Sequence, residues 1–101
     1  MVVVVCRLSL FFPEAGSLKA KRQGLRRLTD RLRHKFNVAV AEVANQDSWQ
    51  RATLGLSVVS NEVDHAQSMI DRITRFAEEL YVAQIIDREL DVLQYGDEEP
   101  L

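Results

Sequence analysis

The sequence predicts a single α+β domain whose elements run strand, helix, strand, strand, helix, strand. Three observations predict it. Four segments are dominated by β-branched residues or alternate apolar and polar in period two, and two long segments repeat apolar residues at helical spacing. Short polar or Pro/Gly-containing turns separate them. With 101 residues and 47% apolar content, the chain is long enough for one core and too apolar for a disordered polymer.

Residues 2–12 form the first strand. Val2, Val3, Val4 and Val5 open it, Phe11 and Phe12 end it, and Pro13 closes it. Residues 13–16 make a turn, and Ser17 is a good N-cap because its hydroxyl accepts from a free N–H of the next turn. Helix one runs from Leu18 to Lys35, with Leu18, Leu25, Leu28, Leu32 and Phe36 on one face. Gly24 interrupts it, which marks either a close approach by another backbone or a tolerated glycine. Strand two spans Asn37–Asn45, and residues 46–50 form a polar connection containing Trp49, the sole tryptophan. Strand three puts Ala52, Leu54, Leu56 and Val58 on one face and Thr53, Gly55 and Ser57 on the other.

Helix two covers Glu62–Leu80, capped by Asn61 or Ser60, with Val63, Ala66, Ile70, Ile73, Ala77 and Leu80 as its apolar stripe. Strand four spans residues 82–95. Residues 1–96 are one domain, and the acidic residues 97–101 are read as a flexible tail. This order of elements suggests the ferredoxin-like split βαβ arrangement. The expected four-stranded antiparallel sheet has spatial order 4-1-3-2, with both helices on one face and the other face open.

Net charge is only −2, but it is unevenly distributed. Residues 1–60 hold ten Lys/Arg against four Asp/Glu, and residues 61–101 hold three against eleven. Helix one carries Lys19, Lys21, Arg22, Arg26, Arg27, Arg31, Arg33 and Lys35 against the single acid Asp30. At 100° per residue, Lys19, Arg22, Arg26 and Arg33 form a stripe beside the apolar face. Asp64, Asp71 and Glu78 form a matching acidic stripe on helix two. With right-handed crossovers, the basic stripe leans toward strand two and the acidic one toward strand four, so the two do not neutralise each other.

Lys21 is an anomaly, because it lies at the centre of the apolar stripe between Leu18 and Leu25. Two environments satisfy it. In one, it holds an anion with Ser17, Lys19 and Arg22 at the helix N-terminus. In the other, it extends past the sheet end into water or pairs with Glu14 or Glu42. Glu42 is in turn either a solvent-facing guard of an edge strand or a partner for Lys21 or Arg51. Trp49 either lids one end of the core or serves as a stacking or interface residue.

Other chemistry is not encoded locally. Cys6 alternates with Val4 and Leu8 and reads as an inert core thiol. His34 and His65 lack ligand-spaced companions, so neither metal nor cofactor is expected, and no nucleophile–base set suggests an enzyme. Strand three offers no aromatic, so base stacking on the central strands is not expected. The smooth open face suits sheet-to-sheet dimerisation instead. The apolar run at residues 2–6 lacks the flanks of a signal peptide, and no segment has the ~20 apolar residues of a membrane span. Together with the single cysteine, this gives a cytoplasmic expectation.

Ser17-Leu18-Lys19-Ala20-Lys21-Arg22 opens helix one, and Asp47-Ser48-Trp49-Gln50-Arg51 precedes strand three. On these segments, with residues 36–43 and 58–61, the chain resembles the uncharacterised YlxP-like family of bacterial proteins. The resemblance covers nearly the whole chain and is weakest in the last fifteen residues. It implies a ferredoxin-like fold. The family's genes tend to lie among those for translation initiation and ribosome maturation, which implies an RNA- or ribosome-associated role. The matching residues Ser17, Leu18, Lys19, Lys21, Arg22, Glu42 and Trp49 arrive with no chemical role assigned. The expectation is a non-enzymatic binding protein that contacts RNA or a ribosomal subunit through Ser17, Lys19, Lys21, Arg22, Arg26 and Arg33. The alternative is a module that assembles as a homodimer through the open sheet face.

Overall fold

The fold is that of a computed structural model, which describes residues 1–96. Residues 97–101, expected to form a flexible tail, lie outside the described residues. The elements are β1 (Val2–Phe11), α1 (Leu18–Lys35), β2 (Ala39–Ala44), β3 (Arg51–Ser60), α2 (Val63–Glu79) and β4 (Gln84–Gln94). They build one antiparallel sheet in the order β2-β3-β1-β4, the ferredoxin-like βαββαβ arrangement that the element order predicts.

Register follows the alternation of side chains. Val4 sits opposite Val58 on one side and Val92 on the other. The even-numbered residues of β1 therefore share a face with Leu54, Leu56 and Val58, and that face meets the helices. Leu28 and Leu32 of α1 and Ile70 and Ile73 of α2 are at most 1% exposed against it. Each such side chain contributes about 1.5–3 kcal/mol by leaving water. Two bulges interrupt the ladders, at Ile86 in β4 and Val43 in β2.

The helix termini show where local chemistry decided. Ser17 caps α1, its hydroxyl accepting from Ala20 N at 3.0 Å. For α2 the expected cap is corrected. Neither Asn61 nor Ser60 holds the cap position: Ser60 remains in β3 opposite Val2, Asn61 lies one residue short of the cap, and the position falls to Glu62, without a side-chain cap bond. Ser60 Oγ instead accepts from the Glu62 N–H at 3.2 Å, turning the chain out of the strand. Strand pairing held Ser60 where a cap would have needed it free. β1 ends at Phe11, and Phe12, next on the helix-facing side, is buried in the core. At Gly24 the close neighbours are side chains, not backbone: an added Cβ would lie 3.3 Å from both Phe12 and Val82.

The C-terminal end of α1 is tied to α2 by rings. Phe36 and Phe76 meet edge to face at 5.6 Å, and Lys35 Nζ lies 4.8 Å above the Phe76 ring. No helix among the described residues is long and apolar enough to cross a membrane.

Candidate functional site

The basic stripe lies where the crossover argument puts it. Arg22, Arg26 and Arg33 line a groove between α1 and the β2 edge. Arg33 Nη2 donates to the Val40 carbonyl at 2.7 Å, covering one acceptor of the unpaired strand edge. It also pairs with the carboxylate of Asp30, at 3.8 Å on the same helix. On the opposite flank, Asp71 of α2 pairs with Arg88 of β4 at 3.0 Å. Among the described residues no ion pair crosses between α1 and α2, and Lys19, Arg22 and Arg26 have no carboxylate partner. The molecule has a basic flank and an acidic one.

Lys21 does not belong to that flank. Its side chain has no exposure, and its ammonium lies 3.2 Å from Glu42 Oε2. It also lies within hydrogen-bond distance of three carbonyls: Asn45 at 2.9 Å, Arg51 at 3.1 Å and Gln46 at 3.3 Å. Three N–H protons facing four acceptors leave no capacity for an external anion. The grouping of Lys21 with Ser17, Lys19 and Arg22 as an anion site is therefore corrected, and pairing with Glu42 is the environment realised. The guarding role for Glu42 is corrected with it. It sits opposite Leu54 on the helix side of β2, where the Lys21 ammonium reaches it.

The three carbonyls belong to the two ends of the β2–β3 connection, so Lys21 fixes that loop to α1. Asn45 turns it with a left-handed backbone (φ 65°) and bonds Thr53 Oγ1 at 2.8 Å. The far side is strapped to β1. Phe12 N donates to Gln50 O at 2.7 Å, and Gln50 Nε2 donates to Pro13 O at 3.3 Å. Ser48 Oγ accepts from Arg51 N at 3.0 Å.

Trp49 stands out from this loop with 58% of its surface exposed, which overturns the reading of it as a lid on the core. It lines a surface cleft of about 480 Å³ with Phe11, Ala15, Gly16, Gln50 and Arg51. The Arg51 guanidinium lies 5.7 Å from the centre of the Phe11 ring, directly across the strand pair. Sequence reasoning singled out Trp49 but not Phe11 or Arg51 as its companions. The antiparallel register that sets Arg51 opposite Phe11 was the available signal.

The open sheet face is a second feature. Ala39 and Ala41 of β2 and Gly55 and Ser57 of β3 floor a trough of about 580 Å³. Val5, Val43 and the ion pair of Arg7 with Glu89 stand around it. Val59, Val3 and Leu93 form an apolar row at one end. Cys6 is on the helix side, 4% exposed, and burial pushes its thiol pKa up, with the Arg88 charge offsetting part of the rise. No group of three or more His, Cys, Asp or Glu among the described residues is placed to hold a metal ion.

Three comparisons bear on this architecture. The family model described as protein of unknown function DUF503 matches residues 3–90. The chain is 40% identical over 63 residues to the uncharacterised protein YlxP of Bacillus subtilis (strain 168), a match spanning 62% of this chain and 68% of that protein. It is also similar to a de novo designed protein with a ferredoxin fold solved by solution NMR. That likeness has a TM-score of 0.61 at 18% identity, over 100% of this chain and 94% of the design, and is a likeness of fold alone.

Proposed function

The chain belongs to the DUF503 family of YlxP-like proteins, and from that premise we propose a non-enzymatic, cytoplasmic protein that binds RNA or a ribosomal subunit through α1. One observation carries the reading: Lys19, Arg22 and Arg26 are exposed on one stripe and have no carboxylate partner among the described residues. Three cations without a carboxylate partner among the described residues raise the local concentration of a polyanion and gain free energy by releasing its condensed cations. Arg33, at the far end of the stripe, is half exposed and held in line by Val40 and Asp30.

The test is binding to ribosomal RNA and to ribosomal subunits across a salt series. Affinity should fall as salt rises, and each phosphate contact removed should lower the salt slope by about one. The triple variant Lys19/Arg22/Arg26→Glu should lose binding while keeping its fold. Salt-independent affinity, or affinity that survives the triple variant, rules the reading out.

The trough supports a second reading, in which the open face meets a second copy of the chain. The row Val59, Val3 and Leu93 and the small-residue floor favour it. Sedimentation over a concentration series is the check, since a strictly monomeric mass at high concentration excludes it.

A further inference from the structure

We infer that the cleft of Trp49, Phe11 and Arg51 is a stacking site for an unpaired base of single-stranded RNA, placed at the head of the basic stripe of α1. The inference rests on the RNA reading above and adds which form of RNA is taken and where a base is held.

Trp49 is exposed on a fastened loop. An exposed indole is ordinary on a mobile loop, where it costs little to leave unordered. This loop is held at both ends by a fully buried ammonium and strapped to β1 through Gln50. The indole is thus exposed on a rigid support, which lowers the ordering cost of a partner that covers it.

The cleft around Trp49 has the chemistry of a base-binding surface. Its lining holds two aromatic rings, one guanidinium, small residues and polar neutral groups, with no carboxylate among the described residues. Arg51 lies over Phe11 as a flat cationic plane beside the indole. A planar π-system joined to an anionic backbone satisfies all of these at once, because bases stack on indole and guanidinium alike. A cationic side chain would be opposed by Arg51.

The cleft also adjoins the start of α1. Ala15 and Gly16 form part of the cleft wall, and Ser17 follows as the cap of α1. A base stacked at Trp49 therefore has Lys19 and Arg22 in the adjoining first turns for its flanking phosphates. The stripe from Lys19 to Arg33 then continues for about 20 Å along the helix at 1.5 Å per residue. A duplex keeps its bases paired and stacked on one another, so the cleft selects single strands.

Trp49 is the chain's sole tryptophan, so its fluorescence reports this site alone. The experiment titrates the full chain with a short single-stranded oligoribonucleotide and, in parallel, with the blunt duplex of the same sequence. The expected result is quenching by the single strand and none by the duplex. Trp49→Ala should weaken single-strand binding roughly tenfold or more, while Trp49→Tyr retains most of it. Melting curves of both variants should match the parent, since the side chain lies outside the core. If binding is salt-dependent and abolished by Lys19/Arg22/Arg26→Glu, yet emission is unchanged and Trp49→Ala binds like the parent, stacking is wrong and the RNA reading stands. If no RNA binds, both are wrong. If the emission responds to a nuclease-treated ribosomal protein fraction and not to RNA, the cleft is a protein interface and the inference is overturned.

Discussion

The Lys21 ammonium lies 3.2 Å from the Glu42 carboxylate, joining the first turn of α1 to the edge strand β2 inside a layer where the lysine has no contact with solvent. A lysine at the centre of an apolar helix face is tolerable only because four oxygens converge on it. Removing either partner has unequal consequences. Lys21→Met leaves a half-buried carboxylate and three loop carbonyls without their donor, and should cost about 2–4 kcal/mol in chemical denaturation. Glu42→Gln leaves the ammonium on an amide oxygen and the same carbonyls, and should cost about 1 kcal/mol or less. Equal losses for the two would mean that the carbonyls contribute little.

The same clamp predicts an effect at a distance. Lys21→Met should alter the emission and quencher access of Trp49, to which Lys21 makes no hydrogen bond, because the loop ends at Asn45, Gln46 and Arg51 lose their common anchor. Glu42→Gln should leave that emission close to the parent's. An unchanged spectrum in Lys21→Met would show that the straps from Gln50 to β1 hold the loop by themselves.

These residues also show which parts of the structure were legible in sequence. Strand and helix periodicity is written in side chains, so the element order, the sheet order and the direction of both charged stripes followed from pattern and chirality. The partners of Lys21 were legible only as far as Glu42. The other three acceptors are backbone carbonyls, which every residue possesses and no sequence marks. The choice between the two environments of Trp49 was not legible for a related reason: its exposure depends on where the loop ends are pinned, and the pin is that same unmarked set. The cap of α2 was expected at Asn61 or Ser60 and falls at Glu62: Ser60 suits a strand end as well as a cap and stays in the ladder opposite Val2, so α2 begins only at Val63, beyond the reach of the Asn61 position as a cap.

Gly24 separates helix propensity from packing. In an open helix, Gly→Ala gains up to ~1 kcal/mol. Here the new methyl would lie 3.3 Å from Phe12 and from Val82, closer than comfortable contact. Phe12 is buried and has little room to withdraw. Gly24→Ala should therefore fall short of the full propensity gain, and Gly24→Val should be destabilising by about 1–3 kcal/mol. Thermal melts of the pair test this, and a stabilised Gly24→Val would show that α1 can shift off the sheet.

Cys6 predicts an alkaline effect with a definite sign. Burial raises the folded-state thiol pKa above its ordinary value, so the unfolded chain loses its proton first as pH rises. The contribution to stability is fully present below the ordinary thiol range, at about pH 8.5, and is lost as pH climbs from there through the folded-state value. Denaturation of the parent and of Cys6→Ala between pH 7 and 10 should give a difference that is constant at the low end and moves in favour of the variant at the high end. A constant difference throughout would mean that the folded thiol titrates normally.

Arg33 and Arg26 share one basic stripe but differ in structural role. Arg26 has no side-chain partner among the described residues, so Arg26→Ala should change stability by less than about 0.5 kcal/mol. Arg33 donates to Val40 O at 2.7 Å on an edge that offers that carbonyl no strand. Arg33→Ala should therefore cost about 1 kcal/mol, with Arg33→Lys recovering part of it through a single donor. Both alanine variants should weaken RNA binding by similar factors and reduce its salt slope alike, because a phosphate senses each as one charge. A stripe built for stability alone would lose stability at Arg33 and no affinity at either position. Denaturation and a salt series on the same two proteins distinguish the outcomes.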